Sequence, residues 1–121
     1  MEPVEINAGQ WYLRALRHDE RVNDSAALLA HGIADPAAYV ARCSSDWASE
    51  RRLTWAVCEP TTGEMLGEVI VEPVDPPLRE GGAARLESWG LDGTEEAIAT
   101  GRDSVLRFAR GGLGVDVAQP M

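Results

Sequence analysis

Residues 91–116, LDGTEEAIATGRDSVLRFARGGLGVD, read as a turn, a helix and the start of a strand. A loop that cradles a pyrophosphate has this shape, because N–H groups at a helix N-terminus and the helix dipole both favour an anion. Yet the first helical turn carries Glu95 and Glu96. Two carboxylates there complement the dipole and take the helix end that a phosphate would otherwise occupy; partly desolvated, they would repel a phosphate by several kcal/mol. Just upstream, ARLESW at 84–89 puts Arg85 and Glu87 two residues apart, on one face of a strand. Glu87 is the candidate general base, although a carboxylate beside an Arg is a poor one because the cation lowers its pKa. A rim or salt-bridged carboxylate is the competing reading.

The remaining reactive residue types give less. Cys43 falls in a helical pattern and Cys58 in a strand pattern, where each reads as a small buried hydrophobe. His18 and His31 have no Cys or His partner at metal-ligand spacing, so no metal site is expected, and both read as surface or loop histidines.

The elements that must position these residues follow from periodicity. Residues 10–17, QWYLRALR, alternate as a first strand. Residues 21–33 put Val22, Ala26, Leu29 and Ile33 on one helical face. A second helix starts at DPAAYV, with Asp35 as cap and Pro36 in the first helical position, and runs through Val40, Cys43 and Trp47 to about SERR. LTWAVCE (53–59) and MLGEVIVEPV (65–74) are strands joined by the turn PTTGE, an antiparallel hairpin. DPPLREGG (75–82) is a loop, and AARLESW (83–89) a further strand. Thr94 is the expected cap of the last helix, which runs to about Arg110 with Ile98, Val105, Phe108 and Ala109 buried. GGLG ends it and VDVA begins one short strand.

A length of 121 residues, 45% hydrophobic and 26% charged, suits one domain, 1–121, with one modest core. The net charge is −9, and all eleven basic residues are Arg. With the many alanines, this points to a GC-rich bacterial genome. No basic patch appears, so nucleic acid is not an expected partner, and the charge steers polyanions away. No apolar run approaches the roughly 20 residues that span a bilayer, so no membrane partner is expected. The opening MEPVEINAGQ has no secretory character, which makes a cytoplasmic protein the expectation. The closing AQPM has no tag-like character and reads as a natural end.

The order β-α-α-β-β-β-α-β, with LTWAV…TTGEMLGEV, then ARLESWG, then IAT…VLRFA…LGVD, resembles the GNAT N-acetyltransferase family, above all the branch that acetylates N-termini of ribosomal proteins and related small amines. The resemblance covers nearly the whole chain. It implies an α+β fold with a mixed, mostly antiparallel sheet and helices packed on it. It also implies a V-shaped groove where the fourth and fifth strands splay apart, lined here by Arg85, Leu86, Ser88 and Trp89 and by the start of the third helix. In that family the fourth strand often reads like AELGYW, with its Glu as base through water; Arg85 stands at that place. The family's loop Arg/Gln-x-x-Gly-x-Gly/Ala, which holds the pyrophosphate of CoA, matches residues 93–100. Ala97, Ile98 and Ala99 would be its cofactor-contacting residues, but the Arg is missing and Ala97 replaces a Gly. The family continues through a further helix that often supplies a Tyr as general acid, whereas Tyr12 and Tyr39 both lie near the front of this chain.

These departures imply a truncated, degenerate member that needs no cofactor and serves as an accessory or regulatory module binding a small molecule or a protein, or hosts other chemistry in the remaining groove. The alternative is an N-acetyltransferase using acetyl-CoA on a small amine or a protein N-terminus. A third reading is a subunit whose C-terminal edge strand pairs with a second copy or another protein.

Overall fold

The structure, a computed structural model, describes residues 1–118. Its elements run β1 (Ile6–Ala8), β2 (Trp11–Arg14), α1 (Ser25–Ala30), α2 (Pro36–Ser49), β3 (Leu53–Cys58), β4 (Met65–Pro73), β5 (Ala83–Gly90), α3 (Glu95–Arg107) and β6 (Asp116–Val117). A single π-helical turn, Phe108–Gly112, extends α3. The six strands form one sheet in chain order. All neighbours are antiparallel except β5 and β6, which pair in parallel through Ala83–Asp116 and Ala84–Val117. The architecture is the expected α+β one.

The period-2 alternation of the strands sends side chains to two cores. Leu53, Trp55, Val57, Val69, Val71, Ala84 and Leu86 pack against α3, whose Ala97, Ile98, Val105 and Leu106 face them. Ala56, Cys58 and Met65 turn to the other face, where Leu28 of α1 and Cys43 of α2 cover them. Trp47, near the end of α2, stacks edge-on against Trp55 at 5.0 Å and donates its indole N–H to the Thr54 carbonyl. Both cysteines are buried and free, and burial pushes the Cys58 thiol up to about 11.

Several boundaries differ from expectation. The strand expected over 10–17 is the second arm of a short hairpin, β1–β2, turning at Gly9 with φ 62°. It stops at Arg14 because the Arg14 guanidinium is drawn into a bidentate pair with Asp24 (2.8 and 2.9 Å), whose carboxylate also accepts the Arg17 N–H. The helix expected over 21–33 shrinks to Ser25–Ala30, because the Asp19 carboxylate accepts the N–H groups of Arg21 and Val22 and holds that stretch in a turn. Its buried side is Ala27 and Leu28, while Leu29 is 55% exposed. Asp35 caps α2 through the Ala38 N–H at 3.1 Å, as read from the sequence. Thr94 does not cap α3: its hydroxyl donates to the Leu91 carbonyl instead. The ending AQPM lies, from Gln119 onward, outside the described residues.

Candidate functional site

β5 is hydrogen-bonded along its whole length to β4 on one side, from Pro73–Ala84 to Gly67–Gly90. On its other side β6 covers only Ala83 and Ala84, so among the described residues the rest of that edge has no strand beside it. The four residues expected to line one groove there divide between the two faces. Leu86 is buried against α3, and Ser88 accepts a hydrogen bond from Arg102 of α3 at 3.0 Å. Arg85, Glu87 and Trp89 turn to the opposite face, over α2. Glu87 is exposed, and Arg85 pairs with Glu72 of β4 at 3.3 Å. The guanidinium that was expected to weaken Glu87 as a base is therefore engaged across the strand.

The carboxylate most altered by its surroundings is Glu68, in the middle of β4. It has no exposed surface. The Tyr39 hydroxyl of α2 lies 2.8 and 3.0 Å from its two oxygens, and the Trp89 indole N–H donates to Oε1 at 2.8 Å. Arg52 donates to the Tyr39 hydroxyl at 3.1 Å and reaches towards Glu72 at 3.8 Å. No cation lies within ion-pair distance of Glu68 among the described residues. Burial raises its pKa above the ordinary value; the Trp89 and Tyr39 hydrogen bonds, and then the charges of Arg52 and His31, oppose the rise. Burial, with the Glu68 charge second, likewise raises Tyr39.

These groups form the floor and walls of an open cavity of ≈ 460 Å³ between the α1–α2 turn and the sheet, with Glu87 on the β5 side and His31 and Ile33 opposite. The His31 ring lies flat on Trp89, centroids 3.8 Å apart and planes within 4°. Sequence reading passed over Glu68, although the signal was present: it is a lone acid inside the otherwise apolar run MLGEVIV, where both neighbours face one core and its own side chain must enter the other.

A second cavity, ≈ 330 Å³, lies at the end of β5 beside α3 and is lined by Ser88, Trp89, Gly90, Thr94, Glu95, Ile98 and Ala99. Among the described residues, no side chain caps the start of α3. Glu95 accepts only the Gly93 N–H, at 3.4 Å, and Glu96 is exposed. These carboxylates do not close the helix end as expected, but they hold negative charge beside it. Ala97 is buried in the core, Ile98 is buried but borders the cavity, and Ala99 of the three expected cofactor contacts is exposed. Arg102 is committed to Ser88 and the Leu86 carbonyl. On charge, then, this end of the helix does not fit a pyrophosphate.

The fold is that of the GNAT acetyltransferases. A ribosomal-protein-serine acetyltransferase from Vibrio cholerae superposes with a TM-score of 0.71 at 18% identity, over 99% of this chain and 77% of its own. A GCN5-related N-acetyltransferase from Brucella melitensis gives 0.65 at 16% identity, over 94% of this chain and 57% of its own. An acetyltransferase from Agrobacterium tumefaciens gives 0.57 at 16% identity, over 91% and 68%. No family model matches the chain, and no curated protein does. Among the described residues, no helix is long and apolar enough to cross a membrane.

Proposed function

We propose that the chain is a binding module on an acetyltransferase scaffold, holding a small amine as its ammonium ion in the cavity between the α1–α2 turn and β5, without transferring an acetyl group. Glu68 carries this reading. A carboxylate with no exposed surface and no cationic partner is costly to keep in a fold, and groups so perturbed cluster where ligands bind. Glu87 at the cavity wall offers a carboxylate and Glu68 in its floor a second acidic group, while Arg52 is turned to Tyr39 and Glu72. The net charge of −9 draws a cation in.

A second reading, acetyl transfer from acetyl-CoA to such an amine, is favoured by one observation. The uncovered edge of β5 and the uncapped start of α3 meet at Ser88 and Trp89, which line both cavities. β6, the last strand of the sheet among the described residues, is the edge for the reading of a subunit completed by another chain, for which the oligomeric mass in solution is the check.

Calorimetric titration with propylamine and with acetyl-CoA, together with mass spectrometry of the mixture, separates the first two readings. Saturable propylammonium binding, weakened about tenfold or more in Glu87→Gln and in Glu68→Gln, with no heat from acetyl-CoA, is expected. Saturable acetyl-CoA binding and formation of N-acetylpropylamine would replace this reading with the second.

A further inference from the structure

The His31–Trp89 stack lines the amine cavity. His31 ends α1, and its backbone is fixed: its N–H is bonded to the Ala27 carbonyl, the Gly32 N–H to Leu29, and the Ile33 N–H to Leu28. Its side chain is exposed, and its ring donates and accepts no hydrogen bond among the described residues. The imidazole lies in flat contact with the indole, and rotation about its own side chain would free that face. Beneath it, the indole is fixed edge-on by its bond to the buried Glu68, and Glu87 stands two residues back on the same face of β5. The arrangement is a flat aromatic platform flanked by two carboxylates, with a nitrogen heterocycle already resting on it.

We propose that His31 occupies the seat of the ligand's own planar cationic group, and that the cavity takes a guanidinium- or imidazolium-bearing amine, which displaces the ring and stacks on Trp89. Aromatic platforms favour flat cations, whose charge spreads over the ring face. An aliphatic ammonium lacks that flat face, so it binds beside Glu87 with His31 still in place. This inference rests on the amine-binding reading and narrows it to one class of amine.

The test compares two cations of equal charge, ethylguanidinium and propylammonium, on the wild-type protein and on His31→Ala. The ratio of their affinities is read by calorimetry, and the Trp89 indole N–H resonance, assigned through Trp89→Phe, is followed by NMR. In the wild type a planar ligand regains only the stacking that His31 gives up. In His31→Ala the seat is vacant, so ethylguanidinium binding tightens by about twofold to tenfold, the worth of one aromatic stack, while propylammonium changes less than about twofold. The indole resonance then moves with ethylguanidinium in both proteins. If both cations bind the wild type but their ratio is unaltered in the variant, the displacement is wrong and the amine site stands. If neither binds either protein at millimolar concentration, the amine reading itself fails and takes this inference with it.

Discussion

At the scale of single residues, the decisive fact is that Glu68 is inside the fold with hydrogen-bond donors but, among the described residues, no cation within ion-pair distance. Its folded pKa is raised from the ordinary 4.5, with burial as the largest cause. Between 4.5 and the higher folded value, the native protein keeps a proton that the unfolded chain has lost. Stability attached to that proton is fully present below 4.5 and declines as pH rises through the window. Glu68→Gln keeps the shape and removes the titration. The melting temperature of the variant should therefore gain on that of the wild type as pH climbs from about 4 to about 8, measured by scanning fluorimetry. Parallel curves over that range would mean that the carboxylate is not desolvated as described. Sequence reading favoured Glu87 because the resemblance pointed to β5. The cross-strand register, Glu68 opposite Trp89 and Ile70 opposite Glu87, is a tertiary fact that a one-dimensional pattern does not hold.

At the scale of elements, what was legible had strong local chemistry. Asp35–Pro36 starts α2, PTTGE turns the β3–β4 hairpin, and apolar runs mark both its strands. What was not legible depended on side chains claiming backbone groups from a distance. Asp24 is the clearest case: it sits where a helix pattern runs, but its carboxylate holds Arg14 of β2 and the Arg17 N–H, and Arg14 also bonds the Gly63 carbonyl in the β3–β4 turn. One buried pair thus ties α1, β2 and the hairpin together, with side chains only 6% and 2% exposed. Asp24→Ala strands a buried guanidinium and should cost about 3–5 kcal/mol, read as a drop in the urea midpoint at unchanged slope. A loss near the value of an exposed pair, under about 1 kcal/mol, would show that water reaches Arg14 freely. The seating of α3 is equally specific. A Cβ built on Gly90 would lie 2.5 Å from Ile98 Cγ1 and 2.6 Å from the Thr94 hydroxyl, and one on Gly67 would meet the Trp89 carbonyl. Gly90→Ala should push the start of α3 off the sheet and destabilise by about 1–3 kcal/mol, the range for overpacking. Amide exchange should rise first in residues 94–98. No change in exchange there would show that α3 is not seated by this contact.

At the scale of the whole molecule, charge decides between the two ligand classes in a way that no single contact does. A chain of net charge −9 carries a negative field on average, and the two cavities add the acidic side chains Glu68 and Glu87 in one and Asp92 and Glu95 in the other. Long-range attraction or repulsion in such a field is screened as the Debye length shrinks from about 30 Å at 0.01 M salt to about 8 Å at 0.15 M. The two ligands must then respond with opposite sign. A cation gains from the field, so propylammonium binding should weaken as sodium chloride is raised through that range, by about threefold to tenfold, mostly in the association rate. A polyanion such as acetyl-CoA is repelled by the same field, so any affinity it has should strengthen with salt. The fold itself should become more stable in both cases, since like charges are screened within the compact state. Calorimetry at the two salt concentrations, with thermal melts of the free protein as the control, reads all three signs at once. Amine binding that is indifferent to salt, alongside melts that shift as expected, would place the amine away from Glu68 and Glu87 and leave the buried carboxylate with a purely structural part in the fold.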